Sequence, residues 1–426
     1  MNILLVAPET KKHRKKPLFV PFPQASLTLL AALTPPGHTV QIVDERIREI
    51  DYDGPYDLVG ITAMTATAFG AYAVADEFRK RGKKVVLGGI HPTAIPDEAL
   101  RHADSVVIGE AEGLWEKVIE DTERGTLQPF YRREDLPSLD GLPHSRLDLL
   151  GRGYLLKNVF QTTRGCPHGC GFCSVSVFNG RKYRHRPVED VVAEVRENRS
   201  RFVGFLDDNI VGNPHYAKEL FRALIPLRKK WVSQGTVKMA QDEDLIDLAQ
   251  KSGCISLFVG FESVNEKNLN EMHKSFNPVE KYRQLIGNFH RHRIMIVGSF
   301  VFGFDDDDPS VFPDTMKFIE ETKIDFGMFN ILTPLPGTEV FEKFKNENRI
   351  FSYDWSHYDF THVVYHPAKM TAEELQRGNN EMYRKFYTMP NILKRTLRNW
   401  RYTGYYFPSS LYYNWVSRHP HSIDEK

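Results

Sequence analysis

The chain has 426 residues, and 56 Lys and Arg face 55 Asp and Glu, so its formal net charge is +1. This balance gives no reason to expect a nucleic-acid partner, because nucleic-acid-binding surfaces are strongly basic. No apolar run reaches the length of a membrane span, and the N-terminus does not resemble a signal peptide. Four cysteines in so long a chain disfavour a disulfide framework, so we expect a cytoplasmic protein. The length of the chain predicts two or three domains.

Residues 1–125 alternate short apolar runs with helix-like segments. The predicted strands are Ile3–Ala7, His38–Val43, Leu58–Thr62, Lys84–Leu87 and Ser105–Ile108. The predicted helices are Leu27–Leu33, Gly70–Arg81, Pro96–His102 and Glu112–Glu123. Strands and helices that alternate at this spacing build a parallel sheet, so the sequence predicts a doubly wound, Rossmann-like α/β domain.

Three turns at the carboxyl ends of these strands combine glycines with hydroxyl or acidic side chains. They are Gly60–Thr65, Gly88–Thr93 and Gly109–Glu112. Open α/β sheets bind ligands at this edge, and glycine lets a bulky ligand approach the backbone. The turns resemble those of the cobalamin-binding domain that is often fused to radical S-adenosylmethionine (SAM) barrels. The resemblance implies cobalamin contacts at Thr62, Thr65, Gly88, Gly89 and Gly109.

One position departs from that family. Its D-x-H-x-x-G motif supplies an axial His to cobalt, whereas Asp44–Glu49 places Arg46 at that position and has no Gly. A guanidinium group stays protonated and is a poor metal ligand. Two interpretations remain open: cobalamin binds without this His, with His91 and His13 as remote candidates, or the domain keeps the fold without the cofactor.

Residues 126–154 are rich in Pro, Gly and charge and are predicted to be a linker. In residues 155–340 the alternation resumes, with a helix after each strand. The six predicted strands are Val159–Thr163, Phe202–Leu206, Val237–Ala240, Ile255–Phe261, Ile294–Phe302 and Phe326–Leu332. Polar residues collect at the carboxyl ends of these strands, where barrel enzymes have their active sites.

The loop Arg164–Cys173 holds Cys166, Cys170 and Cys173 in the spacing C-x₃-C-x₂-C. Three thiolates suit a 4Fe–4S cluster and leave one iron free for another ligand. The alternative is a structural zinc site, which needs a fourth ligand. Candidates for that ligand are His168, His185 and Cys254.

The cysteine spacing, with Phe172 before the last cysteine, resembles that of the radical SAM superfamily. The resemblance implies a partial (β/α)6 barrel in which SAM binds the open iron and is cleaved reductively to a 5′-deoxyadenosyl radical. This chemistry requires an electron donor such as a flavodoxin or ferredoxin.

The resemblance also implies SAM contacts at Phe172, Asp207, Asp208, Glu262, Ser263 and Gly303. Asp207 and Asp208 match a segment that contacts the SAM amino group, although carboxylates after a strand also cap helices. Glu262 and Ser263 match the segment that approaches the ribose, and a carboxylate can accept both hydroxyl groups. Gly303 matches the adenine-lining segment. No side chain stands out as a dedicated base or nucleophile.

Residues 341–426 are predicted to be a helical, aromatic-rich C-terminal region that begins with an amphipathic helix at Thr371–Phe386. The aromatic and Arg residues after Phe386 either pack on the barrel, cover an apolar substrate or rest on a membrane surface.

The sequence therefore predicts a radical SAM enzyme that uses cobalamin to methylate an unactivated carbon of a small or lipid-like metabolite. One alternative is a cobalamin-free radical SAM enzyme that catalyses a rearrangement, ring contraction or carbon–carbon coupling. The other is a zinc-stabilised, non-catalytic binding protein.

Overall fold

The structure is a computed structural model that describes residues 1–10 and 22–418. The first sheet consists of β1 (Asn2–Ala7), β2 (Thr39–Asp44), β3 (Leu58–Thr62), β4 (Lys84–Gly88), β5 (Ser105–Ile108) and β6 (Phe130–Arg132). Its helices are α1 (Ala25–Leu33), α2 (Ala68–Lys80), α3 (Ile90–Ala94), α4 (Pro96–Leu100) and α5 (Trp115–Arg124). All strands are parallel, in the order β2-β1-β3-β4-β5-β6.

The strand order of this sheet reverses at β1, which pairs with β2 on one side and with β3 on the other. β1 is buried from Ile3 to Ala7, so the reversal lies in the middle of the domain core. In doubly wound sheets the crevice at such a reversal, outside the carboxyl ends of the strands, is the usual ligand site. The predicted Rossmann-like fold is confirmed.

The second half of the chain forms a second sheet with its own helices. The strands are β7 (Val159–Phe160), β8 (Thr163–Arg164), β9 (Arg184–His185), β10 (Phe202–Phe205), β11 (Lys230–Gly235), β12 (Cys254–Glu262), β13 (Met295–Phe302) and β14 (Phe326–Ile331). The helices are α6 (Ser174–Phe178), α7 (Val188–Glu197), α8 (Pro214–Leu224), α9 (Glu243–Ser252), α10 (Glu266–Glu271), α11 (Tyr282–Arg291), α12 (Val311–Thr322) and α13 (Glu339–Asn346).

Six of these strands are parallel neighbours in sequence order, β7-β10-β11-β12-β13-β14, while β8 and β9 form a separate antiparallel pair. Successive parallel strands joined by helices form part of a β/α barrel, with every carboxyl end at one edge. The predicted partial (β/α)6 barrel is confirmed.

The third barrel strand was predicted at the wrong place. Val237–Ala240 lies in a short 3₁₀ helix, Val237–Gln241, and the strand is β11. Only Trp231 and Ser233 of β11 are buried, and Trp231 and Val232 are its only two large apolar residues, so the segment lacks the apolar run on which the prediction relied. Trp231 fixes the strand by donating a hydrogen bond from its indole nitrogen to the Ser252 hydroxyl (3.1 Å).

The segment predicted to be a linker, 126–154, contributes β6 to the first sheet, in parallel with β5. Three residues are too few to show a periodic pattern, and for this reason the sequence did not reveal the strand.

The C-terminal region contains α14 (Ala372–Phe386), α15 (Met389–Arg398) and α16 (Thr403–Ser417). Thr371 and Glu374 form a capping box at the start of α14, which lies where the amphipathic helix was predicted. In the described part of the chain, every helix is too short or too polar to cross a bilayer.

Candidate functional site

The cysteine loop lies between β8 and α6, at the carboxyl ends of the barrel strands, and its backbone is held from two sides. The amide of Gly171 donates to the carbonyl of Met272 (3.2 Å), and the Gly171 carbonyl accepts from the amide of Val340 (3.1 Å). Gly165 precedes the first cysteine with φ +79°, and a Cβ there would lie 2.5 Å from the Lys182 carbonyl oxygen. The loop is therefore preformed by contacts that do not involve the cysteine side chains.

The three cysteine thiols of this loop are partly buried. Burial raises the pKa of the Cys170 thiol to about 12, while the nearby Lys274 cation acts in the opposite direction and favours the thiolate. Among residues 1–10 and 22–418, no three His, Cys, Asp or Glu side chains converge on a single metal ion. A cubic cluster fits this arrangement, because each cysteine binds a different iron atom.

In the described part of the chain, the candidate fourth zinc ligands do not join the three thiols in a common metal site. The His168 ring stacks on Phe276 at a centroid distance of 3.6 Å, and the His185 ring stacks on Tyr216 at 4.2 Å. Cys254 begins β12, at the end of the barrel opposite the loop, and is buried. The donor set therefore fits an iron–sulfur cluster and not a four-ligand zinc site.

Asp207 and Asp208, which follow β10, hold the cysteine loop in place. The Asp207 carboxylate is fully buried and accepts from the amides of Thr162 (2.7 Å) and Thr163 (2.8 Å). Asp208 accepts from the amide of Gly165 (3.1 Å). Burial raises the pKa of Asp207 to about 6, although its hydrogen bonds favour the charged form. Neither residue caps a helix, since the N-cap of α8 is Asn213.

The residue after this pair was not predicted as part of the site. The Asn209 side-chain amide donates to the sulfur of Cys166 at 3.9 Å. Hydrogen bonds to cluster sulfurs are one means by which proteins set cluster potentials. Only its position beside the acidic pair could have drawn attention to Asn209 in the sequence.

Glu262 ends β12 in an unusual backbone conformation. Its φ is +60°, next to an irregularity in the pairing with β13. Such bulges redirect side chains. Here the carboxylate meets the ammonium group of Lys274 at 2.6 Å, and both residues are buried. A Cβ on Gly260 would lie 2.2 Å from the Glu262 Oε1, so glycine leaves the space that this pair occupies.

Lys274 is a site residue that the sequence analysis missed. Burial is the largest single influence on its ammonium group and lowers the pKa, but the charge and hydrogen bond of Glu262, together with the charges of Cys170 and Cys173, outweigh burial and the pKa is raised. The Glu262 carboxylate also receives a long hydrogen bond from Ser299 (3.5 Å). A carboxylate has about four acceptor positions, so these contacts leave capacity for two ribose hydroxyl groups.

Three other predicted SAM contacts are fixed by neighbours. The Ser263 hydroxyl accepts from the amide of Asn265 (3.0 Å) and from the Asn268 side chain (3.3 Å). The Gly303 amide donates to Asp307 (2.9 Å). The Phe172 ring lies 6.2 Å from Phe304. The structure thus brings all six predicted SAM residues to the carboxyl edge of the barrel or to the cysteine loop.

A cavity of about 370 Å³ lies between the two sheets. Four of the five predicted cobalamin residues line it: Thr62, Gly88, Gly89 and Gly109. The barrel side contributes Gln161, Arg164 and Asn179, beside the cysteine loop. Thr65 is buried in the short 3₁₀ helix Thr65–Thr67, outside the lining.

The lining of the cavity leaves room beside the backbone and offers both apolar and charged groups, as a large ring with polar substituents requires. There is open space beside Gly88: the atoms nearest to a Cβ placed there would be the Val107 Cβ and carbonyl oxygen, both at 3.8 Å. Gly89 has φ +103°, and a Cβ there would lie 2.8 Å from the Ala63 carbonyl oxygen. The walls combine apolar groups such as Leu30 with charged groups such as Glu110.

The candidate axial ligands lie away from this cavity. Arg46 forms a two-pronged ion pair with Asp44, with Nε at 2.9 Å and Nη2 at 2.6 Å from the carboxylate oxygens. His91 is fully buried, and its Nε2 pairs with the Tyr72 hydroxyl at 3.0 Å. His13 lies outside the described residues. None of the described candidates lines the cavity.

A buried ion network joins the cavity to the cysteine loop. Arg164 contacts Glu110 at 2.6 Å and Glu112 at 2.5 Å, and Arg184 also binds Glu110. All four side chains are buried. The two acids belong to the turn after β5, whereas Arg164 precedes the first cysteine, so the network fixes one domain against the other. The acidic turn and the Arg of the cysteine loop are both visible in the sequence, but nothing in the sequence indicates that they form ion pairs with each other.

Replacing Lys274 with Met is expected to lower the free energy of unfolding by about 3–5 kcal/mol, because it leaves the buried Glu262 carboxylate without its partner. Urea denaturation measures this loss. The double variant Glu262→Gln/Lys274→Met should recover part of it.

The matched control for this variant is Lys251→Met, which breaks an exposed pair with Asp247 and should cost less than about 0.5 kcal/mol. Equal stability of Lys274→Met and the control would show that the buried pair does not support the site.

Comparison with known families gives two matches in one chain. Residues 160–319 match the radical SAM superfamily, and residues 22–119 match the B12 binding domain. Each match falls in the half of the chain for which the corresponding resemblance was inferred from the sequence, and the two expected resemblances are confirmed.

Named relatives match over most of their length. The chain is 34% identical over 384 residues to bacteriochlorophyllide d C-12(1)-methyltransferase of Chlorobaculum tepidum, covering 87% of this chain and 84% of the relative. It is 31% identical over 408 residues to the C-8(2)-methyltransferase of that organism, covering 90% and 89%.

Among solved structures, the radical S-adenosylmethionine methyltransferase TsrM from Kitasatospora setae, solved with cobalamin and a 4Fe–4S cluster, has the same fold. The TM-score is 0.67 at 18% identity, and the match covers 81% of this chain and 78% of TsrM. The two relatives and the two family matches establish that the chain belongs to the radical SAM superfamily and carries an N-terminal B12 binding domain.

Proposed function

We propose that the protein is a cobalamin-dependent radical SAM methyltransferase that methylates an unactivated carbon of a small or lipid-like metabolite. The observation that carries this proposal is the cavity between the two sheets. It lies directly beside the cysteine loop and is lined by the glycine-containing turns of the B12 binding domain.

In this proposal Cys166, Cys170 and Cys173 would hold a 4Fe–4S cluster, and the six predicted SAM residues, at the cysteine loop and the carboxyl edge of the barrel, would form the SAM site. The cavity lined by Thr62, Gly88, Gly89 and Gly109 holds cobalamin. When bound, the cluster and SAM supply radical chemistry, and cobalamin supplies methyl transfer to carbon.

The roles of the protein side chains follow from their contacts. Glu262 orients the SAM ribose, and Lys274 holds that carboxylate in place. Asp207 and Asp208 keep the loop rigid through backbone hydrogen bonds. Arg46 is engaged with Asp44, so we propose that cobalamin binds without a His ligand from this position.

The substrate class is inferred from the relatives. The two Chlorobaculum enzymes are named for methylation of bacteriochlorophyllide d, a large hydrophobic ring compound. We propose a substrate of similar hydrophobic character. The remaining partner is an electron donor such as a flavodoxin or ferredoxin. A cytoplasmic location follows because the cluster needs a reducing environment.

Replacing Cys166, Cys170 and Cys173 together with Ala should abolish both iron binding and reductive SAM cleavage, since all three cluster ligands are lost. Anaerobic reconstitution with iron and sulfide, followed by iron analysis and chromatography of SAM products, measures both. Cys254→Ala is the matched control and should retain the cluster. SAM cleavage by the triple variant would refute the cluster assignment.

Gly88→Leu should abolish cobalamin binding and leave iron at about four per chain, because the new side chain occupies the cavity. Metal analysis after reconstitution with hydroxocobalamin measures both metals. The control is Gly287→Leu, at a helix position with nothing within 4 Å of its would-be Cβ and outside the cavity lining. Full cobalt binding by Gly88→Leu would show that the cofactor lies elsewhere.

Methyl transfer itself is tested with SAM that carries a deuterated methyl group, a chemical reductant and bacteriochlorophyllide d. Mass spectrometry should show one labelled methyl group on the substrate with the wild type and none with Gly88→Leu. Cleavage of SAM with all of the label recovered in methionine would contradict the methyltransferase proposal and favour a cobalamin-free reaction.

A further inference from the structure

Helix α15 and the turn after it expose an unusual set of apolar side chains. Met389, Leu393, Leu397 and Trp400 are 37%, 50%, 76% and 67% exposed. Residues spaced by three or four positions lie on the same face of a helix, so these side chains form one continuous stripe. We call Met389, Leu393, Leu397 and Trp400 the apolar stripe.

The other face of α15 is docked firmly on the protein. Ile392 is fully buried. The buried guanidinium of Arg395 donates to the Tyr406 hydroxyl (2.9 Å) and to the Phe386 carbonyl (2.6 Å), and it lies 3.7 Å from the centre of the Phe386 ring. The helix is therefore held in one orientation, and the apolar stripe faces away from the protein.

The charge of this region differs from that of the whole chain. Between Met382 and Arg418 there is no Asp or Glu, whereas the chain as a whole is balanced at 56 basic and 55 acidic residues. The basic residues of the segment are Arg384, Lys385, Lys394, Arg395, Arg398, Arg401 and Arg418. Lys394 and Arg401 are exposed next to the apolar stripe. The face thus combines apolar side chains with positive charge.

We propose that the apolar stripe, with Lys394 and Arg401, binds the surface of an anionic lipid bilayer. Helices that lie in a membrane interface have this composition, with Trp and Leu on one face and Lys or Arg beside them. Each basic residue near an anionic leaflet adds electrostatic attraction. This role is separate from the proposed methylation and does not depend on it.

The position of the apolar stripe in the fold determines how the protein would be oriented on a membrane. Arg398 and Asn399 bond to Asp325 at 3.0 Å and 2.9 Å, immediately before β14. The Tyr402 hydroxyl donates to the carbonyl of Arg293 (3.3 Å), just before β13. The stripe therefore lies at the amino ends of the barrel strands, and the cysteine loop lies at the opposite edge. The length of β13 separates them by roughly 26 Å. The bilayer anchors the protein and leaves the active-site edge free.

Co-sedimentation of the reconstituted full-length protein with lipid vesicles tests the proposal. Binding is expected to vesicles of phosphatidylglycerol and phosphatidylcholine, to weaken with salt, and to be at least tenfold weaker with phosphatidylcholine alone. The variant Leu393→Ser/Leu397→Ser/Trp400→Ser should lose at least tenfold in binding. Lys394→Glu/Arg401→Glu, which leaves the apolar side chains intact, should lose binding to anionic vesicles.

The matched control replaces three exposed apolar side chains elsewhere, Phe69, Phe130 and Leu155, with Ser, and it should bind like the wild type. Reductive SAM cleavage should be unchanged in the stripe variants, because the stripe is remote from the cysteine loop. Unchanged vesicle binding of either stripe variant, or equal binding to neutral vesicles, would overturn the proposal. So would a dimer in solution that the stripe variants dissociate, since a second copy would then cover this face.

Discussion

The buried ion network of Arg164, Arg184, Glu110 and Glu112 is the constraint on which the site depends. Buried charges are tolerated only when they are paired and hydrogen-bonded, so these four side chains restrict how the two domains can meet. Arg164 is the first residue of the cysteine loop, and both acids belong to a turn that lines the cavity. The network thus fixes the proposed cobalamin site directly beside the proposed cluster.

The same principle governs the barrel side of the site. The Asp207 carboxylate accepts hydrogen bonds from the backbone just before the cysteine loop, and the Glu262 carboxylate is held by Lys274. Placing that ion pair requires an unfavourable left-handed backbone at Glu262 and a glycine at position 260, where any side chain would collide with the Glu262 carboxylate. The residues that shape the site are therefore positioned before any ligand is bound.

Much of this arrangement could be predicted from the sequence. The alternating strands and helices could be predicted because each has its own local pattern of apolar residues. The cluster ligands could be predicted because the three cysteines lie within one short loop. β11 was missed because only two of its six residues, Trp231 and Val232, are hydrophobic, and β6 was missed because it has only three residues. Lys274 and Asn209 were missed for a different reason, since their roles depend on contacts with residues distant in sequence. The tail aromatics divide between packing, as for Tyr406, and exposure, as for Trp400, and sequence alone could not separate the two.

The most direct test of the account is anomalous diffraction at the cobalt and iron edges from crystals of the anaerobically reconstituted protein with hydroxocobalamin. The account predicts one cobalt peak in the cavity lined by Gly88, Gly89 and Arg164, and an iron cluster at Cys166, Cys170 and Cys173. An iron cluster with no cobalt in that cavity would contradict it and would leave the N-terminal domain as a scaffold for cobalamin-free radical chemistry.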